Sequence, residues 1–376
     1  MYKTLWFWLH WLLGIVFGVI LLIVGATGAI LSYEKEILQI INKDTYFVQA
    51  PQNKERLNEV EILQIFQKEN PNYKINSIGF SSAKDSSMYV NIAKEGERRG
   101  VNIYLNPYTA EVLPQIKGKD FFMFNFRLHR WLALDGGFRS VGKHIVALAT
   151  LAAIVLTVSG IIVYWPRIKN NFLKSIIFSF KQKNRVFLSS MHSALGLWVV
   201  PFFLLMCLTG LYWSYEWYRG AMYSALGVEQ PKRVMQQGAW GKNKDIAFDD
   251  ISVVIDLFKE TTAKGFKNAN LRLDQSKDGT YAISYLFDNA KHFRASNTAE
   301  IDPKEKKLVK EAKYEDKKLN EKIMNSMLPL HSGEFFGWFG KFAYFISSAL
   351  MALFVITGYM LYFDRWKKKR VKILKK

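Results

Sequence analysis

The chain has a single cysteine among 376 residues, and that residue, Cys207, sits inside a hydrophobic run. A lone cysteine excludes a disulfide within the chain and any cysteine-built metal site. Acid is missing too: the runs Trp11–Tyr33, Ile145–Pro166, Val186–Tyr215 and Phe342–Phe363 contain no Asp or Glu. Zinc and copper want three or four ligands, normally with Cys or carboxylate among them, so neither suits these runs. Ion pathways usually show buried carboxylates and helices broken by Gly or Pro, whereas Pro201 is the only proline interior to a run. No GxGxxG loop is present, so no nucleotide- or flavin-binding domain of that kind is expected.

What is present is apolar length. Each run reaches the roughly 20 residues that cross a bilayer, and four membrane spans are predicted. The first run is too long for a signal-peptide core and ends in Ser-Tyr-Glu-Lys-Glu without a small-residue cleavage site, so it reads as a retained anchor. The net charge of +20 is sorted by position. The stretch Arg167–Arg185 holds six Lys/Arg and no acid, and Asp364–Lys376 holds eight against one Asp. By contrast, Glu34–Arg139 is mixed, with 15 basic and 13 acidic residues. The positive-inside rule makes the basic segments and both termini cytoplasmic, with anionic lipid as their contact. No nucleic-acid partner is expected.

The runs are copies of one another. A shift of 182 residues superposes His10 on His192, Gly14 on Gly196, Thr27-Gly28 on Thr209-Gly210, and Ser32-Tyr33-Glu34 on Ser214-Tyr215-Glu216. A shift of 198 superposes Gly142-Lys143 on Gly340-Lys341, Gly160 on Gly358, Tyr164 on Tyr362 and Arg167 on Arg365. The expected fold is an α-helical membrane protein of four transmembrane helices, a duplicated two-helix unit with an outside α+β domain in each copy. Both copies share one orientation, a parallel repeat about an axis along the membrane normal. The expected order is a cytoplasmic N-terminus and first span (1–33), an outside domain (34–119), an interfacial helix (120–140), a second span (141–166) and a basic loop (167–185). The second copy repeats it with a span (186–217), an outside domain (218–323), an interfacial helix (324–340), a span (341–363) and a basic tail (364–376).

Within the first outside domain, Asn58–Glu69 reads as an amphipathic helix, with strands at Tyr73–Phe80, Ser87–Ala93 and Val101–Leu105. The turn Asn106-Pro107-Tyr108-Thr109 and a short strand Glu111–Leu113 end it. The second copy is expected to have a helix at Asp249–Thr261 and strands at Asn268–Leu273, Thr280–Phe287 and His292–Ser296. There, Thr298–Lys307 takes the place of the strand–turn–strand ending, and the charge-rich Lys304–Lys322 reads as solvated surface.

Six histidines remain to be placed. His10 and His192 mark the cytoplasmic ends of repeat-related spans; His129 and His331 precede the Gly-Lys that opens the other two. His10, Gly14 and Gly18 share one helix face, which leaves room for a flat group or for close helix packing. Two facing imidazoles suit bis-His ligation of haem iron, one nitrogen on each side of a flat ring and the other nitrogen free to donate. Arg127, Arg130 and Lys143 lie near the outer pair, Lys3 and Arg185 near the inner one, as counter-charges for propionates or as anchors to lipid headgroups. His144 has no repeat partner, since Phe342 takes its place, and is an alternative outer ligand to His129 or a donor behind it. His292 reads as surface.

The residues HWLLG at His10, LHRWLAL at Leu128–Leu134, TVSGIIVYWPR at Thr157–Arg167, MHSALGL at Met191 and LHSGEFFGWFG at Leu330–Gly340 resemble the PepSY-associated transmembrane family, whose members include bacterial ferrisiderophore reductases. Asn102–Leu113 is similar to the PepSY strand–turn–strand, with Ala110 where Gly is usual. The resemblance implies PepSY-like periplasmic domains and two b-type haems, with His10, His192, His129 and His331 as axial ligands. It also implies electron transfer across the bacterial inner membrane to the iron of a ferric siderophore or other ferric chelate, releasing Fe(II). The electron donor would be separate, a quinol or a cytoplasmic flavoprotein. Two other readings are a PepSY-based peptidase-inhibiting or regulatory protein without redox activity, which leaves the paired histidines unexplained, and an iron or haem transporter.

Overall fold

The structure is a computed structural model that describes residues 2–94, 97–231, 246–261 and 265–374. In chain order it runs α1 (Tyr2–Ser32), α2 (Glu34–Ile41), α3 (Lys43–Tyr46), α4 (Glu59–Glu69), β1 (Ile75–Ser81), β2 (Met88–Lys94) and β3 (Glu97–Leu105). Next come α5 (Lys119–Trp131), α6 (Arg139–Asn170), α7 (Phe172–Ser175), α8 (Asn184–Ser214), α9 (Glu216–Ala225) and α10 (Phe248–Thr261). Last are β4 (Phe266–Arg272), β5 (Tyr281–Phe287), β6 (Asn297–Asp302), β7 (Lys307–Ala312), α11 (Leu319–Asn325), α12 (Met327–Ser332) and α13 (Gly337–Leu374). These form two compact units. One is Met1–Glu34, Lys119–Glu229 and Ser326–Lys376; the other is Lys35–Gly118 and Gln230–Asn325.

In the first unit, four helices among the described residues are long and apolar enough to cross a membrane: Thr4–Ser32, Gly136–Asn170, Asn184–Ser214 and Glu334–Lys367. They pack as a closed ring, with α1 against α6 and α13, and α8 against the same two. The ring is inside out relative to a water-soluble bundle. Its exposed positions are large and apolar (Leu12, Val16, Leu148, Trp198, Ile356), while its buried ones are small (Ala147, Ala149, Ala153, Ala194, Ser159, Ser347). Lipid is as apolar as leucine, so helices in it associate by close packing of small residues, and this is that pattern. At Gly25 an added Cβ would stand 2.5 Å from Met351 Cβ and 2.9 Å from the Ser348 carbonyl oxygen, which brings α1 and α13 nearly into backbone contact. The chain is a membrane protein.

The second unit is one seven-stranded antiparallel sheet, in the order β3-β2-β1-β4-β5-β6-β7. This corrects the expectation of two separate outside domains. Strand β1 pairs with β4, Ser77 opposite Arg272 and Gly79 opposite Asn270, so the two stretches share one sheet. They also share one core: Leu63 and Phe66 of α4, and Ile255 and Phe258 of α10, cover the same face of the sheet as Ile78, Val90, Leu271 and Ile283. Helix α4 starts where the sequence placed it, with Asn58 accepting from the Val60 amide at 3.0 Å as N-cap.

Three details of the second half differ from expectation. The segment 292–296 is not a strand; β6 begins at Asn297. The strand–turn–strand ending is present as β6 and β7; β7 lies in the charged stretch, which is mostly exposed, as expected of solvated surface. Asp302 Oδ1 accepts from the Lys304 amide at 2.9 Å, as Asn106 Oδ1 accepts from the Tyr108 amide at 2.9 Å. Lys306 then turns left-handed (φ 49°), as Ala110 does (φ 61°). The turn survives because Asp-Pro makes the same side-chain-to-backbone bond as Asn-Pro. Finally, His292 is buried, 4% exposed: its Nδ1 accepts from the Arg294 amide and its Nε2 faces the Tyr314 hydroxyl at 3.3 Å.

Candidate functional site

Four of the six histidines meet in two pairs inside the membrane unit. His10 of α1 and His192 of α8 have ring centres 6.4 Å apart; His129 of α5 and His331 of α12 are 6.3 Å apart. Two imidazoles on opposite sides of one metal atom have ring centres about 6.2 Å apart, from metal–nitrogen bonds of about 2.0 Å and a nitrogen-to-centre distance of about 1.1 Å. Both spacings match.

Every one of the four rings is held through Nδ1. His10 meets the Leu156 carbonyl at 3.0 Å and Ser159 Oγ at 2.9 Å. His129 meets the Val24 carbonyl at 3.0 Å and Thr27 Oγ1 at 3.2 Å. His331 meets the Met206 carbonyl and Thr209 Oγ1, both at 3.0 Å, and His192 meets Thr357 Oγ1 at 2.8 Å. Each hydroxyl already donates to its own helix: Thr27 to Ile23, Thr209 to Leu205, Thr357 to Leu353 and Ser159 to Leu156. The hydroxyls therefore accept, the imidazoles donate from Nδ1, and Nε2 keeps its lone pair. Among the described residues no hydrogen bond engages any of the four Nε2 atoms.

The residue after each hydroxyl is glycine. Beside Gly28 and Gly210, an added Cβ would stand 3.2 Å from Cε1 of His129 and of His331; beside Gly160 it would stand 3.4 Å from His10 Cε1, and beside Gly358 it meets nothing within 4 Å. A hydroxyl–glycine dipeptide on each long helix thus cradles one imidazole, the hydroxyl orienting it and, at three of the four, the glycine admitting it. Thr27-Gly28 and Thr209-Gly210 stood out in the sequence only as repeat markers. Their chemical part was missed, although Ser159-Gly160 and Thr357-Gly358 could have shown it.

The short helices are set by their ends. Helix α5 stops two residues after His129, where Leu132 and Ala133 are left-handed, and α12 stops at left-handed Gly333. The chain then folds back so tightly that a Cβ at Gly142 would lie 2.1 Å from the Trp131 carbonyl, and one at Gly340 would lie 2.6 Å from the Gly333 carbonyl. That is what the repeated Gly-Lys does: it locks each histidine-bearing turn against the next helix. Burial pushes His129 and His331 down to about 4, with the Arg130 charge adding to it, so both are neutral imidazoles.

A cavity of about 340 Å³ lies beside the His10/His192 pair, lined by His10, Gly14, Gly18, Gly160, His192, Gly196, Gly358, Arg185 and Arg365 among others. Gly18 faces the Tyr359 ring and Gly14 only reaches ordinary contact with Leu156, so this glycine face serves both the cavity and helix packing. Arg185 pairs with Asp364 at 3.4 Å. On the helix that carries His129, Arg127 pairs with Asp135 at 3.0 Å and keeps a buried Nε without a partner, while Arg130 lies over the Phe126 ring. His144 is exposed, with its ring against Tyr215 at 6.1 Å, and is not brought to His331. The side chain of Lys3 lies outside the described residues. Among the described residues no cluster of three or more His, Cys, Asp or Glu could hold a metal ion, so only the pairs remain.

A profile of the PepSY-associated TM region matches residues 7–365. The chain belongs to the PepSY-associated transmembrane family. None of the curated proteins matches it. In this family member the match takes in both units and all four paired histidines.

Proposed function

We propose that this protein binds two b-type haems, one at His10/His192 and one at His129/His331, and carries electrons across the bacterial inner membrane to a ferric chelate of the siderophore class, releasing Fe(II). The observation that carries the reading is the pair geometry: two imidazoles with ring centres 6.4 Å apart in one pair and 6.3 Å in the other, each held through Nδ1 with Nε2 free. The donor set suits haem, which takes two axial nitrogens, and not zinc, which takes four ligands.

Haem at such sites supplies reversible one-electron chemistry. The chain's own residues supply the rest. Ser159, Thr27, Thr209 and Thr357 orient the imidazoles and raise their basicity through Nδ1. The apolar walls exclude water, and Arg185, Arg365, Arg127 and Arg130 are placed to balance propionate charge. One electron converts Fe(III) to Fe(II), which such chelators bind weakly, so no acid–base machinery is needed at the chelate. The donor is a separate molecule, a quinol or a cytoplasmic flavoprotein. In this reading the two halves are copies, the basic loop and tail face the cytoplasm, and the sheet unit is periplasmic.

The test is a dithionite-reduced minus oxidised spectrum of the detergent-purified protein, with haem counted per chain. A sharp low-spin b-type signal at about two haems per chain is the expected result. Protein made in haem excess and carrying none overturns the proposal and leaves a non-redox role built on the sheet unit.

A further inference from the structure

Helices α4 and α10 cover one face of the sheet. The other face carries a cleft of about 390 Å³ centred on the β1–β4 pair. Its floor is a Tyr–Gly–Asn arrangement. Gly79 sits between Tyr89 on one neighbouring strand and Asn270 on the other, and a Cβ there would fall inside the Tyr89 ring. The missing side chain lets the Tyr89 phenol cross β1 and meet Asn270 Nδ2 at 3.0 Å. Tyr104 packs beside Tyr89 with ring centres 5.8 Å apart, and Tyr46 beside Tyr104 at 5.2 Å, which forms an aromatic wall. Asn268 and Ser284 line the opposite side.

No Asp, Glu, Lys, Arg or His lines this cleft among the described residues. The chain is 22% charged, and an ordinary solvated sheet face carries alternating Lys and Glu. Around the cleft the outward positions are Gly79, Ser81, Tyr89, Asn268, Asn270 and Ser284 instead, and Arg272 at the end of β4 pairs with Asp274. Polar side chains of these strands bond one another, Asn76 to Asn91 at 3.0 Å and Asn270 to Ser77 at 3.2 Å. Burial raises Tyr89 and Tyr104, which keeps both phenols protonated and uncharged. Glu311, which bonds Tyr285, is neutralised by Lys313 at 3.0 Å. The size is that of a small-molecule pocket, and an aromatic wall with a few placed amides and hydroxyls is how such pockets recognise ligands.

The geometry points to a binding site for an overall uncharged, amide-rich ligand. On the function proposed above, the chelate would be a neutral ferric tris-hydroxamate rather than a trianionic ferric tris-catecholate. Three hydroxamates cancel the ferric charge, whereas three catecholates leave an excess of three negative charges, for which no cation lines the cleft among the described residues.

Binding can be measured without reduction by using redox-inert Ga(III) complexes on the full-length protein in detergent, read by calorimetry. The neutral Ga(III) tris-hydroxamate should bind and the trianionic tris-catecholate should not. Tyr104→Ala should weaken the neutral complex by about tenfold or more with haem content unchanged. Ser284→Lys, at an exposed position, should bring in measurable tris-catecholate binding. Equal binding of both complexes to the unaltered protein overturns the inference, as does neutral binding that both variants leave intact. Because gallium is not reduced and haem is counted separately, failure here is distinct from failure of the reductase reading.

Discussion

His331 donates from Nδ1 to Thr209 Oγ1 at 3.0 Å, and Thr209 spends its own proton on the Leu205 carbonyl. This hydroxyl and the Met206 carbonyl, also at 3.0 Å, together fix which nitrogen of a histidine 122 residues away keeps a lone pair.

The first prediction concerns that bond. On the proposed function, Thr209→Val keeps the shape but removes one of the two acceptors at Nδ1, so His331 loses basicity and the ferric state of a haem at His129/His331 would lose stabilisation. The midpoint potential of one centre should rise, on the order of tens of millivolts, in a redox titration. Thr27→Val should shift the same centre through His129. If neither variant moves a potential, the hydroxyls only pack.

Histidine substitutions should divide by pair. His10→Ala and His331→Ala should each lose one haem per chain, while His144→Ala should retain both, because His144 lies exposed against Tyr215. Haem counting by pyridine haemochrome decides it. Loss of haem from His144→Ala with retention in His129→Ala would reverse the assignment.

The glycines should be unequal. Gly210→Val drives a methyl into a ring edge already 3.2 Å from the nearest Cβ position, whereas Gly358→Ala meets open space. On the proposed function, the first should perturb the low-spin spectrum of a haem at His129/His331; the second should leave all spectra unchanged.

His292 should make the sheet unit acid-sensitive. Burial lowers its pKa, and the Lys291 charge beside it acts the same way; Lys317 and Lys322 stack on its partner Tyr314. A folded-state pKa below the unfolded value of about 6.5 means the unfolded chain binds more protons under that pH. Stability is therefore full above about pH 6.5 and falls as pH drops toward the folded value. Hydrogen exchange at β6 and β7, measured from pH 7.5 down to pH 5, should show protection falling in the native protein. The added slope should be absent in His292→Gln.

Left-handed Ala110 and Lys306 stand where glycine is unstrained. Lys306→Gly should stabilise the β6–β7 turn by up to about 1 kcal/mol, and Ala110→Gly by less, since Ala110 also buries its methyl. A thermal melt that drops for Lys306→Gly would show the lysine making a compensating contact.

The sequence by itself determined the four spans, the histidine pairs and most strands of the first half, because these depend on local pattern. Apolar length sets a span, alternation sets a strand, and matching residues 182 apart align His10 with His192. The turn after β6 was hidden because Asp302-Pro303 looks unlike Asn106-Pro107 by letter while making the same bond. Only the tertiary structure decided that β1 pairs with β4, since a strand's edge carries backbone groups alone and no side-chain pattern names its neighbour. It also decided what Ser159, Thr27, Thr209 and Thr357 do. A hydroxyl in a helix reads as packing until a histidine from a distant segment is seen to donate to it, and that meeting is made by the close approach of helices at glycine.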